Sequence, residues 1–203
     1  MRLVVVGATG AVGTQMLRIL TQRGFSADQI VPVASARSAG RKLEYAGKEL
    51  EVVALAEDVF RSGDLALFDV PDEISAQWAP IAAQAGAVAI DNSGAFRMDA
   101  DVPLVVPEVN PEAANERPRG IIASPNCTTL AMVVPLAALH RAVPVRRLIL
   151  SSYQAASGAG MSGVDELWDQ TQRAAKQPDE VRDGLAGEVL DGGETFVHPI
   201  ALN

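Results

Sequence analysis

The sequence predicts an α/β protein built on a doubly wound, mostly parallel sheet. A compact β-branched run at residues 2–6 leads directly into a glycine-rich turn and then a periodic helix. Further strand-like runs alternate with helical stretches along most of the chain, an order typical of a sheet with helices on both faces. With 203 residues, 48% of them hydrophobic and 21% charged, the chain can bury a substantial core.

The first element is a predicted strand over Arg2–Val6, followed by the turn Gly7–Gly13 (GATGAVG) and a helix over Thr14–Gln22. Small residues at G-x-x-G-x-x-G spacing let the backbone approach a pyrophosphate, and the first amides of the helix favour an anion. A glycine pattern alone is a weak signal, but a preceding strand and a following helix make it predict a dinucleotide site. The contacts expected from this turn are Gly7, Thr9, Gly10, Ala11, Val12 and Gly13.

The next predicted strand, Ile30–Ser35, indicates which dinucleotide is bound. An NAD site places an acidic residue at the end of this strand to accept hydrogen bonds from the ribose. This chain instead continues with Ser35, Arg37, Ser38, Arg41 and Lys42, and these hydroxyls and cations suit the 2′-phosphate of NADP. Arg37 is the preferred partner because its planar guanidinium can hold phosphate through two hydrogen bonds. The alternative is a solvated basic turn.

The middle of the chain supplies further elements of the sheet. The patterns predict a hairpin over Glu44–Leu55, strands over 65–70, 87–91 and 104–110, and a helix over 75–84 interrupted by Pro80. Asp91–Arg97 (DNSGAFR) follows a strand at its carboxyl end, where ligands bind in open α/β sheets. Arg97 is therefore either an anion-binding residue or a surface arginine paired with Asp99 or Asp101.

The single cysteine, Cys127, lies in the segment Ser124–Thr129 (SPNCTT), between a predicted strand over 121–123 and a helix over 130–140. A helix N-terminus favours an anion, and so favours the thiolate form of a cysteine placed there. The backbone amides and the Asn126 carboxamide could also hold an oxyanion. The alternative is a small buried hydrophobe, which is the commoner role of a lone cysteine.

A second domain is predicted to begin with a strand over 145–152. It leads into the small-residue loop Tyr153–Gly160, in which the Gln154 amide could orient an acyl group. A helix over 162–175 follows, and the weakly patterned tail 179–203 ends in a strand-like piece at 199–203.

Composition excludes several kinds of partner. A net charge of -8 argues against nucleic acid, which favours a basic face. No apolar run approaches the ~20 residues that span a bilayer, and the N-terminus does not resemble a signal peptide, so we expect a cytoplasmic protein. One cysteine and two histidines offer no metal-ligand spacing.

Four segments, GATGAVG, SARSAGRK, SPNCTT and SSYQAASGAG, occur in an order and at separations that resemble aspartate-semialdehyde dehydrogenase. The resemblance implies a Rossmann-type NADP domain over residues 1–126 and the start of an α+β catalytic domain over 127–203, which pairs in a homodimer. It also implies the NADPH-dependent reductive dephosphorylation of L-aspartyl 4-phosphate to L-aspartate 4-semialdehyde, in the biosynthesis of lysine, threonine, methionine and isoleucine.

The same resemblance implies roles for individual residues. Cys127 corresponds to the nucleophile that forms an acyl-thioester, with Asn126 beside it in the phosphate and oxyanion site. Arg97 corresponds to a phosphate-binding arginine and Gln154 to a glutamine that positions the acyl group. The implied NADP contacts are Thr9 to Gly13, Arg37, Ser38, Ser157 and Gly158.

The chain departs from the family in two respects. It lacks segments matching the family's later catalytic histidine, carboxylate-binding arginine and phosphate-binding lysine, so we expect the N-terminal part of a longer protein. His140 is expected to be a helix-end histidine, and His198 has no family counterpart. In addition, Asp69–Glu73 replaces a small Ser-Ala-Gly-rich loop, and these acidic residues would repel a pyrophosphate unless they point away.

Two other functions remain possible from the sequence. N-acetyl-γ-glutamyl-phosphate reductase shares this architecture and thioester chemistry, but its cysteine usually lies in a Pro-Gly-Cys-Tyr setting. A non-catalytic nucleotide-binding or interaction protein on the same fold would explain the missing histidine and the acidic loop.

Overall fold

The computed structural model describes residues 1–183 and 190–202, in two compact units, Met1–Leu150 and Ser151–Asn203. The strands are β1 (Leu3–Val6), β2 (Ile30–Ala34), β3 (Lys42–Tyr45), β4 (Lys48–Glu51), β5 (Val53–Ala54), β6 (Leu65–Phe68), β7 (Val88–Asp91) and β8 (Ile121–Ala123). The helices are α1 (Ala11–Gln22), α2 (Asp72–Gln84), α3 (Cys127–Ala142), α4 (Met161–Lys176) and α5 (Pro178–Arg182). None of the helices in this part of the chain is long and apolar enough to cross a membrane.

The first unit is organised by a six-stranded sheet in the order β5-β2-β1-β6-β7-β8. Every neighbouring pair of strands in it is parallel. The chain builds one half outward from β1 and then crosses to build the other half, so the predicted doubly wound α/β fold is confirmed. A separate hairpin, β3-β4, turns through Ala46 and Gly47, which both have positive φ.

The β-branched run that predicted β1 is buried on both faces of the sheet. Successive side chains of a strand point to opposite faces, so Val4 and Val6 pack into one cluster with Phe68 and α2. Leu3 and Val5 pack into the other cluster, with Leu17 of α1. This double burial explains why β1 is continuously apolar.

Three features predicted between residues 75 and 152 are wrong. Pro80 lies inside α2 without interrupting it; the helix continues because Ala79 and Ala82 on either side are fully buried against the sheet. Residues 104–110 form only a single bridge, from Leu104 to Ala123. The chain then turns because the Asn110 side chain accepts a hydrogen bond from the Val106 amide at 2.8 Å. Residues 145–152 form no strand, because no described segment pairs with them.

The second unit contains α4, which confirms the helix predicted over 162–175. Gln170 is fully buried, and its Oε1 accepts hydrogen bonds from the Ile200 and Ala201 amides at 2.7 and 3.0 Å. These contacts hold residues 199–202 in an irregular, turning conformation, so the strand-like piece predicted there is wrong. The other predicted tail positions, 184–189 and 203, lie outside the described residues.

Candidate active site

A cavity of about 430 Å³ opens at the carboxyl ends of β1, β2 and β6. Its polar lining comes from the predicted glycine turn and basic turn, and its apolar wall comes from residues after β5 and β6. The lining residues are Val6, Gly7, Thr9, Gly10, Ala34, Ser35, Arg37, Leu55, Asp69, Val70, Pro71, Ile74 and Trp78. This is the position at which doubly wound sheets bind nucleotides.

Two glycines of the turn are required by close backbone approaches. Gly7 has a φ of +93°, and a Cβ there would overlap the carbonyl oxygen of Asp69. A Cβ at Gly13 would overlap the carbonyl oxygen of Gly7, because α1 packs directly against the turn. Helix α1 begins after Gly10 without a side-chain cap, so its first amides are available to a phosphate.

Arg37 lies on a single helical turn, Ala36–Ser38, that follows β2. Its exposed guanidinium lines the cavity. Within residues 1–183 and 190–202, this guanidinium forms no hydrogen bond and no ion pair. A cation left available beside a nucleotide cavity suits a phosphate group.

Not all of the predicted dinucleotide contacts line the cavity. Gly7, Thr9, Gly10, Ser35 and Arg37 do, whereas Ala11, Val12, Gly13 and Ser38 do not. The apolar wall of the cavity was not predicted from the sequence. Ile74 and Trp78 lie one helical turn apart on α2, and this i, i+4 spacing after a strand was the signal available for it.

The acidic loop after β6 is turned toward the segment that follows β7. The Asp69 carboxylate, at the cavity wall, accepts a hydrogen bond from Asn92 Nδ2 at 2.9 Å. Asp72, the first residue of α2, accepts one from the Gly94 amide at 2.8 Å. Asp72 does not line the cavity, and its charge is favoured by the helix N-terminus. Of the three acidic residues in this segment only Asp69 lines the cavity, so we expect it to make the largest contribution to the repulsion of a pyrophosphate.

Cys127 is the first residue of α3 and is exposed. The preceding residue, Asn126, caps the helix: its Oδ1 accepts hydrogen bonds from the amides of Thr128 at 3.0 Å and Thr129 at 3.3 Å. Because the carboxamide oxygen is used by the cap, the Nδ2 amino group is the part of Asn126 that can donate to a ligand. The exposure of the thiol contradicts the alternative of a buried hydrophobe.

Arg97 is held against the cysteine turn. Its Nε donates to the carbonyl oxygen of Ser124 at 2.8 Å, and its Nη2 donates to the carbonyl oxygen of Asn92, also at 2.8 Å. Asp99 and Asp101 instead pair with Arg119, at 2.6 and 3.3 Å, and the hydrogen bond that Arg119 donates to Asp99 raises the pKa of Arg119. The surface pairing considered for Arg97 is therefore wrong.

The other predicted site residues lie in the second unit. Gln154 is exposed, and its side chain lies over Gly158, where an added Cβ would overlap it. Ser157 and Gly158 lie in the short turn Ala156–Ala159 that precedes α4.

The two histidines occupy different settings. His140 is in the last turn of α3, as expected, and its Nδ1 accepts a hydrogen bond from the Val145 amide at 3.0 Å. His198 is exposed in the second unit. Within the described part of the chain, no three His, Cys, Asp or Glu side chains are grouped so that they could hold a metal ion.

The parallel sheet, the glycine turn and the cavity at the carboxyl edge define a dinucleotide-binding protein of the Rossmann type. Two family models match the chain: the semialdehyde dehydrogenase NAD binding domain over residues 2–117 and the semialdehyde dehydrogenase dimerisation domain over residues 136–203. The chain belongs to the semialdehyde dehydrogenase family.

Known relatives agree with this assignment. The chain is 44% identical over 204 residues to an aspartate-semialdehyde dehydrogenase of Aquifex aeolicus, covering 100% of this chain and 57% of the relative. The crystal structure of aspartate semialdehyde dehydrogenase II of Vibrio cholerae complexed with ASA superposes with a TM-score of 0.84 at 42% identity, covering 100% of this chain and 57% of that one. A Candida albicans aspartate semialdehyde dehydrogenase with NADP gives a TM-score of 0.58 at 25% identity, over 71% of this chain and 48% of that one. The resemblance inferred from the motifs is thereby confirmed, and the chain spans roughly half the length of these relatives.

Proposed function

We propose that this chain carries the NADP site and the nucleophilic thiol of an aspartate-semialdehyde dehydrogenase. The observation that supports this best is the hydrogen bond from Arg97 to Ser124, which places a cation against the turn that begins α3 with Cys127. An acyl phosphate needs this pair of groups, a thiolate for its carbonyl carbon and a cation for its phosphate.

The proposed reaction proceeds through a covalent intermediate. The Cys127 thiolate attacks the acyl carbon of L-aspartyl 4-phosphate, the bond from carbon to the phosphate oxygen breaks, and inorganic phosphate leaves beside Arg97. NADPH held in the cavity lined by Gly7, Thr9, Gly10 and Arg37 would supply the hydride for the thioester carbon. The carbon–sulfur bond then breaks, which returns the thiolate and releases L-aspartate 4-semialdehyde.

The remaining residues bind and orient the reactants. We assign the oxyanion to Asn126 Nδ2 and the first amides of α3, and the positioning of the acyl group to Gln154. The pyrophosphate is assigned to the turn Gly7–Gly13, with Ser157 and Gly158 as further dinucleotide contacts.

NADP rather than NAD is proposed as the cofactor. Arg37, with Ser35 and Ser38 beside it, suits the 2′-phosphate, and no acidic residue takes their place after β2. The Candida albicans relative, whose structure was determined with NADP, supports the same choice.

The domain organisation and assembly follow from the same family. We propose that residues 1–126 form the NADP domain and residues 127–203 belong to the catalytic domain. The match of residues 136–203 to a dimerisation domain supports a homodimer. A reaction on small phosphorylated amino acids suits a cytoplasmic enzyme.

The test is phosphate-dependent reduction of NADP with L-aspartate 4-semialdehyde, together with an NADPH titration on the same sample. We expect NADPH to bind to the unsubstituted chain and to Cys127→Ala alike. Any reduction of NADP is expected to require both phosphate and Cys127, and NADPH binding without turnover would assign the acid/base group to a segment that this chain lacks. Failure to bind NADPH, or turnover that survives Cys127→Ala, would contradict the proposal and favour a non-catalytic protein or another chemistry.

A further inference from the structure

The arginine loop, residues 92–97, is held by three carboxylates: one in the β6–α2 connection, one at the start of α2 and one at the end of β7. Each of its first three residues takes part in a hydrogen bond to a carboxylate, and three different carboxylates are used. The bonds join Asn92 Nδ2 to Asp69 (2.9 Å), the Ser93 Oγ to Asp91 (2.7 Å) and the Gly94 amide to Asp72 (2.8 Å), and Asp91 also accepts a bond from Ser75 of α2.

The position of Arg97 depends on this loop. Arg97 Nη2 donates to the carbonyl oxygen of Asn92 at 2.8 Å, so the backbone at the start of the loop fixes one side of the guanidinium. Among the described residues, its other amino group, Nη1, takes part in none of the protein's hydrogen bonds. A displacement of residues 92–94 would therefore move the cation relative to the cysteine turn.

Asp72 and Gly94 fit each other closely. The Gly94 amide donates to Asp72 Oδ1, and a Cβ at position 94 would come within 2.8 Å of Asp72 Oδ2. Only a residue without a side chain leaves the carboxylate in this position. Asp72 lies outside the dinucleotide cavity, whereas Asp69 lines it, so the two carboxylates can be tested separately.

We propose that Asp72 is a positioning residue for Arg97: by holding the Gly94 amide, it fixes the arginine loop in the conformation that binds the phosphate of the substrate. This inference rests on the phosphate-binding role proposed above for Arg97. It gives a function to the acidic loop that the sequence marks as a departure from the family.

A role of Asp72 as a charge and a role as a positioning residue predict opposite effects of Asp72→Ala on phosphate binding. If Asp72 acted only as a negative charge near the site, its removal would strengthen phosphate binding. If it holds the loop, Asp72→Ala weakens phosphate binding although it removes a repulsive charge. Asp72→Asn loses the charge but keeps a side-chain oxygen for the Gly94 amide, so it retains phosphate binding.

The experiment measures protection of Cys127 by inorganic phosphate against alkylation by iodoacetamide, which does not require turnover. Asp72→Ala is expected to raise the half-protecting phosphate concentration about threefold, because the hydrogen bond that is lost is exposed to solvent. Asp72→Asn is expected to change it less than about twofold. Glu73→Ala is the matched control, because Glu73 is the next carboxylate of α2, is exposed, and its side chain makes no hydrogen bond with the described residues.

A second variant approaches the same contact from the loop. Gly94→Ala displaces the Asp72 carboxylate and is expected to weaken the protection of Cys127 by phosphate when it is introduced into the unsubstituted chain. Introduced into Asp72→Ala, it is expected to cause little further loss of protection, because the obstructing carboxylate is then absent. This non-additivity keeps the proposal testable if one variant folds poorly.

The outcomes separate the two proposals. Protection that is lost in Arg97→Ala but unchanged or improved in Asp72→Ala overturns the positioning role alone. Protection that is absent in the unsubstituted chain, or that survives Arg97→Ala, overturns the phosphate role of Arg97 and the positioning role with it.

Discussion

Substitution of Arg37 by alanine is expected to weaken the binding of NADPH without weakening the binding of NADH. The guanidinium lines the cavity and has no ion pair among the described residues, so its removal leaves no buried protein group without a partner. Loss of one charge-assisted, bidentate contact with the 2′-phosphate corresponds to about a 10–100-fold increase in the Kd for NADPH. NADH lacks that phosphate, so its Kd is expected to change less than about twofold.

The assay is a fluorescence titration of both reduced dinucleotides at two salt concentrations. Arg41→Ala is the matched control, because Arg41 belongs to the same basic segment but does not line the cavity. The loss in Arg37→Ala should shrink at high salt, since screening weakens an exposed charge pair. Equal losses for NADPH and NADH, or an equal loss in Arg41→Ala, would refute the reasoning.

Three further perturbations test the turn, the sheet and the helix cap. Gly13→Ala is expected to weaken NADPH binding at least about tenfold, because the new methyl group overlaps the Gly7 carbonyl oxygen and displaces the turn; unchanged affinity in the same titration would contradict this packing. Asp64→Asn is expected to lower the free energy of unfolding by about 2 kcal/mol at pH 7, because Arg2 donates to both carboxylate oxygens at 2.9 and 2.6 Å. Burial raises the pKa of Asp64, but the hydrogen bonds from Arg2 and the Arg61 amide outweigh burial and hold that pKa below its usual value. In urea unfolding, the difference in free energy of unfolding between the unsubstituted chain and Asp64→Asn should therefore be largest above about pH 4 and shrink as the pH falls further. Asn126→Ala removes the cap of α3 and should cost about 1 kcal/mol of stability, whereas Asn126→Ser should restore most of it; equal stability of the two variants would count against the cap.

The elements that the sequence predicts well are those specified locally. The strand, glycine turn and helix at residues 3–22 follow one another without a long connection. The apolar run Leu3–Val6 by itself indicates that the strand is buried on both faces. The predicted strand at 145–152 was wrong because a strand requires a partner, and the apolar pattern of one segment does not reveal whether a partner is present. Residues 104–110 were misassigned because one side chain, Asn110, turns the chain.

In the candidate site, too, residues in distinctive local segments could be predicted, whereas contacts between residues distant in sequence could not. Cys127, Asn126 and Arg97 could be proposed as site residues because each follows a strand in a short, chemically distinctive segment. Their environment depends on contacts distant in sequence, such as Asp72 with Gly94 and Arg119 with Asp99. Residue types and spacing alone give no means of deciding which aspartate pairs with which arginine.

The most direct test of the proposed chemistry is intact-protein mass spectrometry after brief mixing with L-aspartyl 4-phosphate, because formation of the thioester precedes hydride transfer and needs no NADPH. We expect one β-aspartyl group per chain, located on Cys127, removed by hydroxylamine and absent from Cys127→Ala. A chain that remains unmodified under these conditions, or that is acylated at another residue, would contradict the assignment of Cys127 as the nucleophile.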